Sequence, residues 1–174
     1  MHELELEGVR LEVPSNVPVM MLREIEAPRR VLPIYIGGPE ASAIHTALEG
    51  LEPPRPLTHD LAIDLLEAAN SRVERIVVTE VREATYFADV VLSSDNGQKV
   101  VSARPSDAVA LALRSGSPIF ADDDLLDEVG RIVPEDEPSG PESEDQGIPE
   151  VDQTAIIDEF RDFIDSINPE DFTD

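Results

Sequence analysis

The chain has 174 residues, 41% of them apolar and none of them cysteine, so it can bury a sizeable core but holds no disulfide and no thiolate metal site. Its formal charge of −25 argues against broad, charge-driven nucleic-acid binding, which needs clustered Lys and Arg. Any metal would rest on carboxylates, carbonyls or the three histidines, a donor set that suits Mg²⁺ or Mn²⁺.

The charge is unevenly placed: residues 134–174 hold 15 acidic residues against Arg161 alone. No apolar run approaches the roughly 20 residues needed to cross a bilayer. The acidic, alternating N-terminus is unlike a signal peptide. A cytoplasmic protein with no membrane partner is the expectation.

In chain order, "HELELEGVRLEV" alternates apolar and charged residues (Leu4, Leu6, Val9, Leu11, Val13), which predicts a half-buried strand. "VPVMMLREI" predicts a second strand. "VLPIYIGG" predicts a third, apolar enough to be central, with Pro33 at a bulge or an exposed N–H position. "PEASAIHTALEGL" predicts a helix with Pro39 in its first turn and Glu40 near the positive end of its dipole. A proline-rich connector then leads to a second helix, with Thr58 as N-cap and Leu61, Leu65, Leu66 and Ala69 on one face.

Three further strands follow, with Asp95-Asn96-Gly97 as a hairpin signal. "SDAVALALRSG" predicts a helix closed by Gly116, with Ser106 as its cap. "SPIFAD" is a short strand and "DDDLLDEVG" a short helix. The predicted class is α+β, with mixed or antiparallel sheets and helices. Residues 3–50 and 73–116 both read strand, strand, strand, helix, Gly. Glu40-Ala41 matches Asp107-Ala108 at an offset of 67, the mark of an internal duplication or of two ordinary hairpin–helix units.

Residues 1–133 form the expected domain, and 134–151 an acidic linker rich in Pro, Ser and Gly. Residues 152–174 hold an amphipathic helix with Ile156, Ile157, Phe160, Phe163, Ile164 and Ile167 on one face. Such a helix is marginal alone. Residues 154–167 are therefore expected to dock on their own domain, a sister subunit or a protein partner.

No nucleophilic triad, P-loop or dinucleotide fingerprint is present. Two spacings resemble metal sites: His59-Asp60 with Asp64, and the run Asp122 to Asp124. Both also read as acids favouring helix N-termini. "RPLTHD" and "RPSD" share a grammar of Arg-Pro, a hydroxyl residue and an acid. Each sets an arginine, Arg55 or Arg104, just outside a helix N-terminus, where an anion or phosphate could bind. The plainer reading pairs each arginine with a carboxylate.

Together "VLPIYIGGPEASAI", "PPRPLTHDL", "FADVVL" and "ARPSDAVALALRSGSPIF" resemble the bifunctional nuclease family, in order and spacing, over residues 3–133. "FRDFIDSINPEDF" also looks like the C-terminal element of some bacterial members. The resemblance implies an α+β fold, a homo-oligomer and hydrolysis of phosphodiester bonds in DNA and RNA. It supplies no catalytic set, so the roles are assigned from the residues. Glu40, Asp60 and Asp107, all at helix starts, are the candidate ligands for Mg²⁺ or Mn²⁺. His59, Asp60 and Asp107 are the candidate catalytic residues, with His59 as general base or acid. Arg55 and Arg104 would clamp the phosphate. The rival class is a non-catalytic regulatory or scaffold protein.

Overall fold

The apolar alternation of the first segment changes phase, from Leu4 and Leu6 to Val9, and the chain answers with a β-bulge. In the computed structural model, which describes residues 1–95 and 97–132, strand β1 (His2–Glu12) pairs antiparallel with β2 (Val17–Glu24). Their register slips between Leu6 and Gly8, and the extra residue keeps Leu4, Leu6 and Val9 on the core side. Leu11 and Val13, expected on the same buried face, are exposed where the hairpin runs out beyond the core.

Next come β3 (Arg30–Tyr35), α1 (Gly38–Leu48) and α2 (Thr58–Ala68). The second half holds β4 (Ser71–Arg82), β5 (Thr85–Ser94), β6 (Gly97–Ala103) and α3 (Pro105–Ser115). The described chain closes with β7 (Ile119–Ala121), α4 (Asp123–Val129) and β8 (Arg131–Ile132). All strands join one mixed sheet in the order β6-β5-β4-β7-β1-β2-β3-β8, with β4 and β7 parallel and the other neighbours antiparallel. The fold is α+β. β3 lies second from an edge, not centrally. The register of β3 with β2 runs without a bulge through Pro33, and β8 has ended at Val31. The missing N–H therefore falls on a free stretch of strand edge.

The two halves correspond in detail. Helices α1 and α3 occupy 38–48 and 105–115, an offset of 67. The bulge at Leu6/Gly8 recurs at Val73/Arg75, at the same offset. The pairs Leu4↔Glu24 and Val19↔Tyr35 have counterparts in Ser71↔Ser94 and Asp89↔Ser102. The outer strands of each meander thus keep the offset of 67, and the middle strand shifts by 70. Three residues are gained before that strand and lost after it, which leaves the pairing intact. α2, β7, α4 and β8 have no counterpart in the pattern.

Ile44 of α1, Ala108, Val109 and Ala112 of α3, and Leu125 and Leu126 of α4 pack with Met20, Leu22, Leu32, Ile34, Ile76 and Val78 of the sheet. In α2 it is Ile63 and Leu66 that meet this core, while Leu61 and Leu65 are exposed. Asp60, clamped by Arg114 of α3, lies one turn before Ile63 on the same inward face. Among the described residues one charged residue, Glu24, is fully buried at the core's rim. Arg30 holds it through Nη2 at 2.8 Å, Nε at 3.0 Å and its backbone N–H at 2.7 Å, and His2 Nδ1 lies 3.2 Å away.

The chain divides into Met1–Val133 and Pro134–Asp174. The expected linker at 134–151 and the amphipathic helix within 152–174 lie outside the described residues. Among the described residues, no helix is long and apolar enough to cross a membrane.

Candidate functional site

Three helices begin at one place, and each carries an acid at its third residue: Glu40 in α1, Asp60 in α2 and Asp107 in α3. An acid there faces the partial positive charge of unsatisfied N–H groups. The sequence places hydroxyl caps at two of these starts, and the structure does not use them. Leu57 is the N-cap of α2 and Thr58 its first residue; the Leu57 N–H donates to Asp60 Oδ2 at 2.8 Å. Arg104 is the N-cap of α3, so Ser106 stands inside the first turn, 6% exposed.

Arg104 is the hub of the site. Its Nε donates to Asp107 Oδ2 at 2.7 Å and its Nη2 to Asp107 Oδ1 at 3.0 Å, while Nη1 reaches Glu40 Oε1 at 2.8 Å. The bidentate half has the fork geometry that arginine provides and lysine does not. His59 Nε2 lies 3.3 Å from Asp107 Oδ1, so the first turn of α2 reaches the first turn of α3. Burial pushes the Asp107 carboxyl up, but the hydrogen bonds and charges of Arg104 and His59 outweigh it and hold the group below its ordinary range. The hydrogen bonds that Arg104 donates to Asp107 and Glu40 hold its guanidinium charged.

Glu40, His59, Arg104 and Asp107 line a shallow cavity of about 530 Å³, together with Thr46 and Thr58. His59 and Glu40 are each 18% exposed at the side chain, Arg104 65%. The site thus offers a half-buried imidazole bonded to a carboxylate and an accessible cation on that same carboxylate.

The other candidates stand apart from this chemistry. Asp60 gives Oδ1 to Arg114 Nε and Oδ2 to the Leu57 N–H, and the Arg114 hydrogen bond holds its carboxyl below the ordinary range against burial. Arg114 also donates to the carbonyls of Ala110 and Ala43, so it ties α1, α2 and α3 together behind the site. This arginine was missed in the sequence. The signal was there: it stands two helical turns after Asp107, on the same face. Arg55 is exposed and forms no ion pair among the described residues. Asp123, in the first turn of α4, pairs with the N-terminal amine and lies 3.3 Å from His2 Nε2.

Among the described residues, no group of three His, Asp or Glu side chains is disposed to hold a metal ion. Asp60 has both oxygens engaged, and Glu40 and Asp107 face each other through Arg104. The three-carboxylate set does not fit an ion in this arrangement.

Comparison with known proteins agrees with the resemblance of the motifs. The bifunctional nuclease domain matches residues 20–134. Uncharacterized proteins of two Mycobacterium tuberculosis strains, CDC 1551 / Oshkosh and ATCC 25618 / H37Rv, are 41% identical over 172 residues, 99% of this chain and 98% of theirs. The matched span runs from β2 to the end of β8 and so contains all three helix starts that meet at Arg104; the chain belongs to the bifunctional nuclease domain family.

Proposed function

We propose that this protein hydrolyses phosphodiester bonds in DNA and RNA at the junction of α1, α2 and α3. The observation that carries the reading is the His59–Asp107–Arg104 constellation, with 3.3 Å between imidazole and carboxylate and a bidentate arginine on the same carboxylate. With Nε2–H directed to Asp107, the ring lone pair sits on Nδ1, which takes a proton from the attacking water. Arg104 turns from its carboxylates toward the phosphate and neutralises the charge that develops on it. The three helix N-termini add positive potential that offsets the local carboxylates. Asp60 acts through position: by holding Arg114 and the α2 start it fixes where His59 points.

The test uses the full chain with single- and double-stranded DNA and RNA, in Mg²⁺, in Mn²⁺ and in EDTA. Hydrolysis lost in His59→Ala and Arg104→Ala supports the reading; activity unchanged in both overturns it. The EDTA arm reads the expectation of a divalent ion directly. Homo-oligomer formation belongs to the same proposal and is read by light scattering.

A second reading is a non-catalytic scaffold. The ion pairs favour it, since Arg104 and Arg114 clamp the three helices whether or not chemistry occurs. Under it, both arginine variants lose melting temperature and no purified preparation cleaves nucleic acid.

A further inference from the structure

A second cavity, of about 480 Å³, lies on the other side of the Arg104–Glu40 bridge and shares both residues with the first. Its volume is within the range of small-molecule sites. Tyr35 and Tyr86, the chain's two tyrosines, stand in its wall. Tyr86 comes from the β4–β5 hairpin, whose tip residues Ala84 and Thr85 also reach the cavity. The Tyr35 hydroxyl is occupied, donating to Glu12 Oε1 at 2.6 Å. What Tyr35 offers a ligand is its ring.

Ser106 also lines this cavity. It is 6% exposed, and its hydroxyl has no hydrogen-bond partner among the described residues. The Ser106 hydroxyl is therefore open to the cavity and available to bond to a group that enters it. The first turns of α1 and α3 open here too, at Gly37, Glu40, Pro105 and Ser106. Their leading N–H groups have no intrahelical partner.

We infer that this cavity is a nucleotide subsite: a base lies against Tyr86 and Tyr35, Ser106 hydrogen-bonds to the base or sugar, and the attached phosphate sits at Arg104 between the two cavities. This rests on the nuclease reading and names its substrate class. A base can reach Tyr86 only after leaving its stack, so the substrate is a single strand, or a duplex locally opened. Stacking on tyrosine tolerates every base and both sugars, which fits one site acting on DNA and RNA.

The experiment titrates the full chain with adenosine 5′-monophosphate, uridine 5′-monophosphate and inorganic phosphate, followed by NMR or calorimetry. Both nucleotides are expected to bind about tenfold more tightly than phosphate. Tyr86→Leu is expected to erase that advantage, and Tyr86→Phe to keep it. Ser106→Ala, which needs no repacking, is expected to weaken nucleotide binding about fivefold and leave phosphate binding unchanged. Equal affinity for nucleotide and phosphate, or nucleotide binding untouched by both Ser106→Ala and Tyr86→Leu, overturns the subsite. His59→Ala separates the two ideas, since it removes hydrolysis and leaves nucleotide binding in place. Cleavage that is unaltered by Ser106→Ala and Tyr86→Leu and equal on single and double strands defeats the subsite alone. Nucleotide binding that follows these residues in a protein without cleavage defeats the nuclease reading alone.

Discussion

Glu40 and Asp107 occupy equivalent positions in the two halves of the fold, 67 residues apart, and one arginine, Arg104, holds both carboxylates. The residue equivalent to Arg104 in the first half is Gly37, the N-cap of α1. The duplicated framework thus yields a single unsymmetrical site, with one cation for two acids. Replacing Arg104 with alanine is expected to lower nuclease turnover about a hundredfold or more. It should cost less than about 1 kcal/mol of stability, because the side chain is largely exposed. Steady-state kinetics beside a denaturant melt separates these effects; a large loss of stability with normal turnover would assign Arg104 to the framework.

Gly37 controls where Glu40 stands. A methyl group there would overlap the end of the Glu40 side chain, which is flexible and can swing aside. Gly37→Ala is therefore expected to leave the fold intact, within about 1 kcal/mol, while breaking the Glu40–Arg104 bridge. Its signature is a shifted Arg104 side-chain resonance with unchanged melting, and a changed KM for nucleic acid.

Asp60→Asn tests position against chemistry. The substitution removes the charge facing Arg114, which is 9% exposed, and weakens the hold on the Leu57 N–H. A loss of about 2 kcal/mol is expected in a urea melt. Below the shifted melting point, turnover per folded molecule should fall much less than in His59→Ala, which is expected to lose about 10²–10⁴-fold. Equal losses in the two variants would give Asp60 a direct catalytic part.

Acid should unlock the rim of the core at Glu24. The hydrogen bonds from Arg30 hold this buried carboxyl below the ordinary value of 4.5, outweighing desolvation. A depressed carboxylate contributes its stability above the unfolded value and loses it as pH falls through the folded one. The protein is therefore expected to keep this contribution above about pH 4.5 and to lose it progressively below. Arg30→Ala should remove about 3 kcal/mol at neutral pH, by taking the guanidinium from a buried carboxylate that keeps only the backbone N–H of residue 30 and His2, and should flatten that part of the acid-denaturation curve. A curve as steep as the parent's would reject this account.

Much of this was written locally in the chain. The phase change from Leu6 to Val9 encodes a bulge, and the change from Val73 to Ile76 encodes its repeat. Glu40, His59, Arg104 and Asp107 were legible because helix starts carry their own grammar of Pro, acid and flanking cation. Other features depend on distant partners. Nothing near Asp60 announces Arg114, 54 residues away, and that pairing lies on the face of α2 that is buried. Glu24 sits in an apolar strand, and its burial depends on Arg30 lying across the β2–β3 turn. Thr58 and Ser106 look like caps by composition, yet the helices begin one residue or more earlier, where Leu57 and Arg104 lead in.

The short strand β7 belongs to neither repeated unit, yet it is the sole bridge between them in the sheet order, pairing with β1 on one side and β4 on the other. Each meander alone would end in an open inner edge, with N–H and C=O groups unmet and prone to pair with other chains. Only after residues 119–121 have been made can the halves be zipped into one sheet. A nascent or truncated chain ending before this strand would carry two sticky edges at once. The two halves of the doubled architecture are therefore locked into one sheet by three residues that follow both of them in the chain.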